Sequence, residues 1–273
     1  MSLHSENRAS IVTGTVAPDE AMIVNKVTKY FNSPHGKPNL VLDSFSMTVP
    51  VGQFVCVVGP SGCGKTTLLN IIAGFEKATV GEVIVDQSKV TRPGPDRGVV
   101  FQDYAIFPWL TVRQNIAFGL KVSGRRGEAN DIDRTVDHYL DVMTLRGFEK
   151  YYPGQISGGM RQRVAIARVL ANQPKMLLMD EPFAALDAQT RFVLQKELVR
   201  VWAAEKITVF FITHNIEEAV LLGDRVIVMG RRPGRIISDT VIDLPRPRDV
   251  SANDFNSYRA QFLETLEDQL SEV

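Results

Sequence analysis

Short apolar runs recur along the chain: FVCVV (54–58), GVVF (98–101), KMLLMD (175–180), ITVFFIT (207–213) and RVIVMG (225–230). Each is β-rich and apolar on both faces, the pattern of strands covered by helices on either side, as in a parallel sheet. Helical stretches stand between them, at Lys65 to Ala73, Gly159 to Ala171, about Thr190 to Glu205, and Ile216 to Leu222. This alternation predicts an α/β fold with a mainly parallel core sheet. The opening segments AMIVNKV, NLVLDSFSMTV and GEVIVD alternate apolar and polar residues instead, and predict an antiparallel β subdomain.

Between Tyr104 and Ile156 the strand pattern disappears. In DIDRTVDHYLDVMTL, residues Ile132, Val136, Tyr139, Leu140 and Met143 fall at helical spacing, with Asn130 or Asp131 as the expected cap. A helical insertion over about 104–160 follows, with a surface loop at SGRRGEAN (123–130). The prolines of DLPRPRDVS (243–251) predict an extended connector. Beyond it, Phe255, Tyr258, Phe262, Leu266 and Leu270 form one face of a terminal helix, which is expected to pack back on the domain. The organisation expected is a loose segment over 1–20, one α/β domain over 21–242, and the connector with its amphipathic helix over 243–273.

The 31 basic and 31 acidic side chains cancel, so no overall field recruits nucleic acid or an anionic membrane surface. Cys56 and Cys63 give no disulfide framework, which fits a reducing compartment. The N-terminal MSLHSENRAS lacks the apolar stretch of a secretory signal, and ITVFFIT is far shorter than the roughly 20 residues that span a bilayer. The chain is therefore expected to cross no membrane.

The strongest chemical signal is GPSGCGKT: Gly59, Pro60, Ser61, Gly62, Cys63, Gly64, Lys65 and Thr66. It follows the apolar strand FVCVV and opens the helix KTTLLNIIAG, the context a phosphate-binding P-loop requires. Backbone N–H groups converge on phosphate there, and the helix N-terminus adds positive potential. Lys65 is expected to reach the outer phosphates, Thr66 to ligate magnesium, and Thr67 to bond an inner phosphate. The strand KMLLMD ends in Asp180, a carboxylate suited to the magnesium shell, and Glu181 follows where it can polarise an attacking water. Gln102 and His214 also end strands. Gln102 could ligate magnesium or position water, and its location alone favours neither; His4, His35 and His138 read as solvated or structural. A guanine-reading N-K-x-D is absent, since Asn25–Lys26 is followed by Val27–Thr28.

Taken together and in order, GPSGCGKT, VVFQ, ISGGMRQR, LLMDEP, ALD and ITH resemble the ATP-binding subunits of ABC transporters, over Met22 to about Gly230. The resemblance implies a Q-loop at Gln102, a signature at Ser157, Gly158, Gly159 and Met160, a catalytic base at Glu181, a D-loop at Asp187 and a switch histidine at His214. It further implies two ATPase subunits, identical or closely homologous, packed head to tail with two ATPs between them. Ser157 and the glycine-led helix start then contact the γ-phosphate held by the other subunit's P-loop. The adenine is expected to stack on Phe31, with Tyr30 as the neighbouring alternative and burial of one of these rings in the core as a third possibility. Two positions depart from the common pattern: Met160 stands where glutamine is usual, and Asn215 where aspartate is frequent.

The work done depends on what is attached. YAIFPWLTV brings Ile106, Phe107, Pro108 and Trp109 beside the insertion, an apolar patch suited to a short permease helix. The competing reading is that Phe107 and Trp109 glue the insertion to the core. PGPDRGVVFQDYAIFPWLTVRQNIAFGL and RRPGRIISDTVIDLPRPR resemble nitrate, sulfonate and taurine uptake ATPases, and the chain ends too soon after them for the extra domain of sugar importers. The implied partners are an integral permease and an extracytoplasmic solute-binding protein, with the chain at the cytoplasmic face of the membrane and no nucleic-acid partner. Bicarbonate, a pyrimidine precursor or an aromatic acid are alternative cargoes, and a soluble ABC ATPase acting on nucleic acid or ribosomes is the rival from another class.

Overall fold

The computed structural model describes residues 19–32, 36, 38–122 and 129–271. The antiparallel subdomain is a four-stranded sheet of β1 (Glu20–Phe31), β2 (Asn39–Pro50), β4 (Val80–Val85) and the two-residue β5 (Ser88–Lys89), in the order β2-β1-β4-β5. The core sheet contains β3 (Phe54–Val58), β6 (Arg97–Val100), β7 (Met176–Asp180), β8 (Thr208–Thr213), β9 (Arg225–Met229) and β10 (Ile236–Val241), in the order β10-β9-β3-β8-β7-β6. All its pairings are parallel except that of β10 with β9.

Burial on both faces explains the unbroken apolar runs. Phe54, Cys56 and Val58 of β3 join one core cluster, and Val55 and Val57 join the other. The second cluster lies against the antiparallel sheet and α1 (Lys65–Ala73). On the opposite face pack α2 (Val112–Val122), α3 (Ala129–Val142), α4 (Gly158–Leu170), α5 (Ala188–Glu205), α6 (Ile216–Leu222) and α7 (Asn253–Ser271). The sheet is thus the middle layer, and only its strand ends remain open to ligand.

Several expectations change in detail. Helix α3 begins at Ala129, so Asn130 and Asp131 lie in its first turn rather than at its cap; Asp131 there faces the positive end of the helix dipole. The loop expected over 123–130 accordingly stops short of Ala129, and 123–128, like residues 1–18, His4 and His35, lie outside the described residues. Helix α2 and the edge strand β10 carried no clear sequence signal. β10 alternates half-buried and exposed positions, a weaker pattern than a two-sided core strand. His138 is exposed and sits 3.2 Å from Glu205, in keeping with a solvated role.

The terminal helix folds back on the core. Phe255 and Phe262 of α7 are fully buried, and Tyr258 and Leu266 pack beside them, whereas Leu270 falls outside the described side chains. Burying each phenylalanine contributes roughly 1.5–3 kcal/mol. The 243–251 connector is anchored by two arginines. Arg246 pairs with Asp224 and lies 4.5 Å above the Trp202 ring, while Arg248 donates to the carbonyls of Val220 and Gly223, both at 2.6 Å.

Candidate nucleotide site

The loop 59–66 leaves the buried end of β3 and turns into α1. Gly64 takes φ 104°, and a Cβ built on it would stand 2.9 Å from Leu42 Cδ2, so both its conformation and its packing require glycine. Lys65 is nearly buried, and its ammonium donates to the Gly59 carbonyl at 2.7 Å and the Pro60 carbonyl at 3.2 Å. Both acceptors are neutral, so the positive charge lies uncancelled within the cradle, where phosphate can exchange for these carbonyls. The Thr66 side chain acts directly on the Asp180 carboxylate. Burial pushes that carboxyl upward, Glu181 adds to the rise, and Thr66 and Lys65 oppose it.

Parallel pairing aligns the remaining strand ends. Met179 of β7 is in register with Val100 of β6, and Asp180 with Ile212 of β8. Gln102 therefore emerges on one side of Asp180 and His214 on the other. Gln102 is exposed in the turn beyond β6. Glu181 has φ 45°, an uncommon conformation for a residue with a side chain, held in place as its N–H donates to the Ile212 carbonyl at 3.0 Å. Its carboxylate Oε2 lies 2.8 Å from His214 Nδ1. The structure thus brings Lys65, Thr66, Asp180, Glu181 and His214 to one sheet edge. Phe31 and Tyr30 at the end of β1 are both substantially exposed, 38% and 41%, so neither ring is part of the core. Lys29 lies over the Phe31 ring, 4.7 Å from its centroid.

The second glycine-led helix start opens elsewhere. Ser157 caps α4, its Oγ accepting from the Met160 N–H at 3.3 Å. A Cβ on Gly159 would meet Thr190 Cγ2 at 2.5 Å, so the start of α4 packs directly on the first turn of α5. Asp187 caps α5 by accepting from the Thr190 N–H at 3.0 Å, and that bond lowers its pKa. The hollow of about 390 Å³ beside Ser157 and Gly159 is lined from residues 144–193, with no residue of the P-loop. Met160 packs against the apolar core, a use for a thioether that glutamine would not serve as well. Asn215 caps α6 through Oδ1, accepting from Glu218 N–H at 3.2 Å, a task asparagine and aspartate perform about equally.

Two residues near the site carried no functional signal in the sequence. Arg232, from the turn between β9 and β10, donates to the Gly62 carbonyl at 2.9 Å and braces the P-loop from outside. Glu218 is buried, accepting from Thr213 Oγ1 at 2.5 Å and Gln195 Nε2 at 2.9 Å. Burial pushes its pKa upward while both hydrogen bonds restrain it. Only the N-x-x-E spacing from Asn215, a helix-start pattern, points to this position; the side chain turns instead to Thr213.

A P-loop beneath the carboxyl ends of a parallel sheet, with acidic residues on the strand beyond, defines a nucleoside-triphosphate-binding protein of the P-loop class. The model of the ABC transporter family matches residues 42–184, and the chain belongs to that family. It is 51% identical over 247 residues to an uncharacterized ABC transporter ATP-binding protein of Methanocaldococcus jannaschii, covering 90% of this chain and 91% of the relative. It is 43% identical over 244 residues to the aliphatic sulfonates import ATP-binding protein of Bacillus cereus, covering 89% and 95%. Among solved structures, a dimeric ATP-binding cassette in a post-hydrolysis state with ADP and Pi superposes with TM-score 0.71 at 31% identity, covering 82% of this chain and all of that one. The cbiO1 protein of Clostridium perfringens, part of the ABC transporter complex cbiONQ, matches with TM-score 0.74 at 26% identity over 93% of this chain and all of that one. The chain is accordingly an ATP-binding ATPase of the transport family, with the α/β architecture expected of it.

The contact between Gly159 and Thr190 yields a direct test. Gly159→Ala should destabilise the protein by about 1–3 kcal/mol through overpacking, lowering its Tm. Thr190→Ser, which deletes the obstructing Cγ2, should restore most of that loss in the double variant. Thermal denaturation of the four proteins measures the coupling, and additive losses would rule out this packing as the cause.

Proposed function

We propose that the protein is the ATP-hydrolysing subunit of an importer for small anions, of the nitrate, sulfonate or taurine type, acting as a head-to-tail dimer at the cytoplasmic face of the membrane. The observation that carries the catalytic part is the Glu181–His214 pair, 2.8 Å apart, beside the Thr66 and Asp180 side chains at the sheet edge. Lys65 and the loop N–H groups bind the phosphates, and Phe31, with Tyr30 as its neighbour, offers a ring to adenine. The hydroxyl and carboxylate of Thr66 and Asp180, with Gln102, are hard oxygen donors that fit magnesium, which keeps waters and phosphate oxygens as its other ligands. When bound, magnesium neutralises charge on the phosphates.

Glu181 accepts a proton from the attacking water, and His214 holds the carboxylate in position for it. Ser157 with Gly158 and Gly159 presents the N-terminus of α4 to the γ-phosphate of the partner's ATP. Absence of the chain's own P-loop from the hollow at Ser157 supports this assignment to the facing subunit. Asp187 caps α5, and its bond to Thr190, which packs on Gly159, ties it to the signature helix.

The importer reading draws on the sulfonate-import relative and on a divided apolar patch. Ile106 packs on the core. Phe107 packs on Phe118 of α2, with ring centroids 4.4 Å apart and planes tilted by 49°, and Asn115 bonds both its N–H and its carbonyl. This half glues the insertion in place. Pro108 and Trp109 point outward, Trp109 being 68% exposed, and offer a permease helix an aromatic anchor. Among the described residues no helix is long and apolar enough to cross a membrane; in the proposed system a separate integral permease carries the cargo. An extracytoplasmic solute-binding protein would select the cargo.

Glu181→Gln should still bind ATP yet hydrolyse it about 100- to 10,000-fold more slowly, trapping a dimer visible by light scattering. Turnover near that of the natural chain would remove Glu181 as the base. The shared-site arrangement is tested by mixing a Ser157→Arg subunit with a Lys65→Ala subunit. One composite site in the mixed dimer then retains both a natural Lys65 and a natural Ser157, so activity should recover above that of either homodimer. No recovery after verified subunit exchange, with a single-site dimer shown to be active, would refute sharing between subunits.

The permease contact has its own readout. Trp109→Glu should abolish co-purification with the membrane permease while leaving ATP turnover of the isolated subunit within about twofold, since exposed positions contribute little to folding. Undiminished co-purification would move the docking surface elsewhere.

A further inference from the structure

Helices α5 and α6 and the 243–251 connector line an open cavity of about 400 Å³, within the size range of small-molecule sites. Its composition is unusual for a chain whose overall charge is zero. Lys196, Arg200, Arg246 and Arg248 line it, and no acidic residue does. Val199, Leu221 and Pro247 supply an apolar wall, with the exposed Phe192 ring at the rim.

The acidic groups that act on these cations lie outside the lining: Asp224 pairs with Arg246 and acts on Arg248, and Glu197 interacts with Arg200, while no acidic partner of Lys196 is recorded among the described residues. Arg248 is held by backbone carbonyls, and burial, reinforced by the neighbouring Arg246, lowers its pKa to about 10. Arg246 is paired with Asp224, but its buried Nε has no hydrogen-bond partner. The Lys196 ammonium rests over the Phe192 ring at 4.2 Å, and Arg200 donates to the Val142 carbonyl at 2.6 Å. An apolar ligand would leave these cations unanswered, and an inorganic ion would leave the apolar wall bare. A small anion with an apolar body satisfies both.

The cavity is also wired to the site. Gln195 lines it and donates to Glu218 at 2.9 Å; Glu218 accepts from Thr213 at 2.5 Å; Thr213 precedes His214, which stands 2.8 Å from Glu181. A ligand that recruits the Gln195 amide competes with Glu218 for it and loosens the support of the strand end that carries His214.

We propose that this cavity is a regulatory site for a small organic carboxylate or sulfonate with an apolar body, whose binding draws Gln195 from Glu218 and slows ATP turnover through His214. The binding half stands on the cavity alone, and the coupling half rests on the catalytic roles given to Glu181 and His214.

The fluorescent probe 8-anilinonaphthalene-1-sulfonate, an aromatic sulfonate, tests both halves on the full-length protein. It should bind saturably, one per chain, and slow turnover about fivefold, the lower end of allosteric couplings. Lys196→Glu combined with Arg200→Glu, both exposed positions outside the nucleotide site, should weaken binding at least about tenfold, as expected when charge contacts become repulsions, and leave turnover without the probe unchanged. Gln195→Leu should keep binding the probe but lose the response of turnover. Unaltered affinity in the charge-reversed variant would place the probe elsewhere, such as the Trp109 patch, and overturn the proposal. Charge-dependent binding without any effect on turnover would overturn its regulatory half; because Glu181→Gln tests the catalytic assignment separately, that failure would be distinguishable from failure of the assignment itself.

Discussion

A strand buried on both faces can present chemistry only at its ends, and the four inner strands of the core sheet, β3, β7, β8 and β9, are of this kind. In β3, β7 and β8 nearly every side chain is withdrawn from water, into one apolar cluster or the other. Parallel pairing then places the carboxyl ends of β3, β6, β7, β8 and β9 at one edge in fixed register. Lys65 beyond β3, Asp180 and Glu181 at the end of β7, and His214 beyond β8 come together because the strands between them leave no other place for polar groups. The Glu181 backbone at φ 45° is tolerated because its N–H is bonded to the neighbouring strand at Ile212.

Around that edge the chain uses small residues and caps to set the distances between helix starts. Gly159 lets α4 touch α5 at Thr190, and Thr190 in turn bonds Asp187. The first turns of two helices, both proposed to face a partner subunit, therefore move as one piece. Phosphate contacts by Ser157 and contacts by Asp187 across an interface would be felt jointly, with no flexible loop to absorb either.

Behind His214 lies a buried polar cluster. Thr213 donates to Glu218 and accepts from the Asn215 N–H at 3.0 Å, Gln195 donates to the other Glu218 oxygen, and Asn215 caps α6. Buried polar groups that satisfy one another in this way hold a single arrangement, since breaking any one bond leaves its partner desolvated. This rigidity suits the role proposed for His214 in holding Glu181, and a competitor for Gln195 would disturb the same position.

Local pattern determined much of this protein. The two-sided apolar runs specified the core strands, GPSGCGKT specified the loop and α1, and the period-three-and-four stripe of Phe255, Tyr258 and Phe262 specified a terminal helix that packs inward. In each case a contiguous segment carries its own physical signal. Strand β10 and helix α2 were not legible, because a half-exposed edge strand and a short helix within the insertion are stabilised by their neighbours more than by their own sequences. The outward turn of Trp109 against the inward stacking of Phe107, the exposure of both Tyr30 and Phe31, the bracing of Gly62 by Arg232 and the chain from Gln195 through Glu218 to Thr213 all join residues remote in sequence. Those relations depend on which side chains share a space, and that is decided only when the sheet register and the helix packing bring the distant segments together.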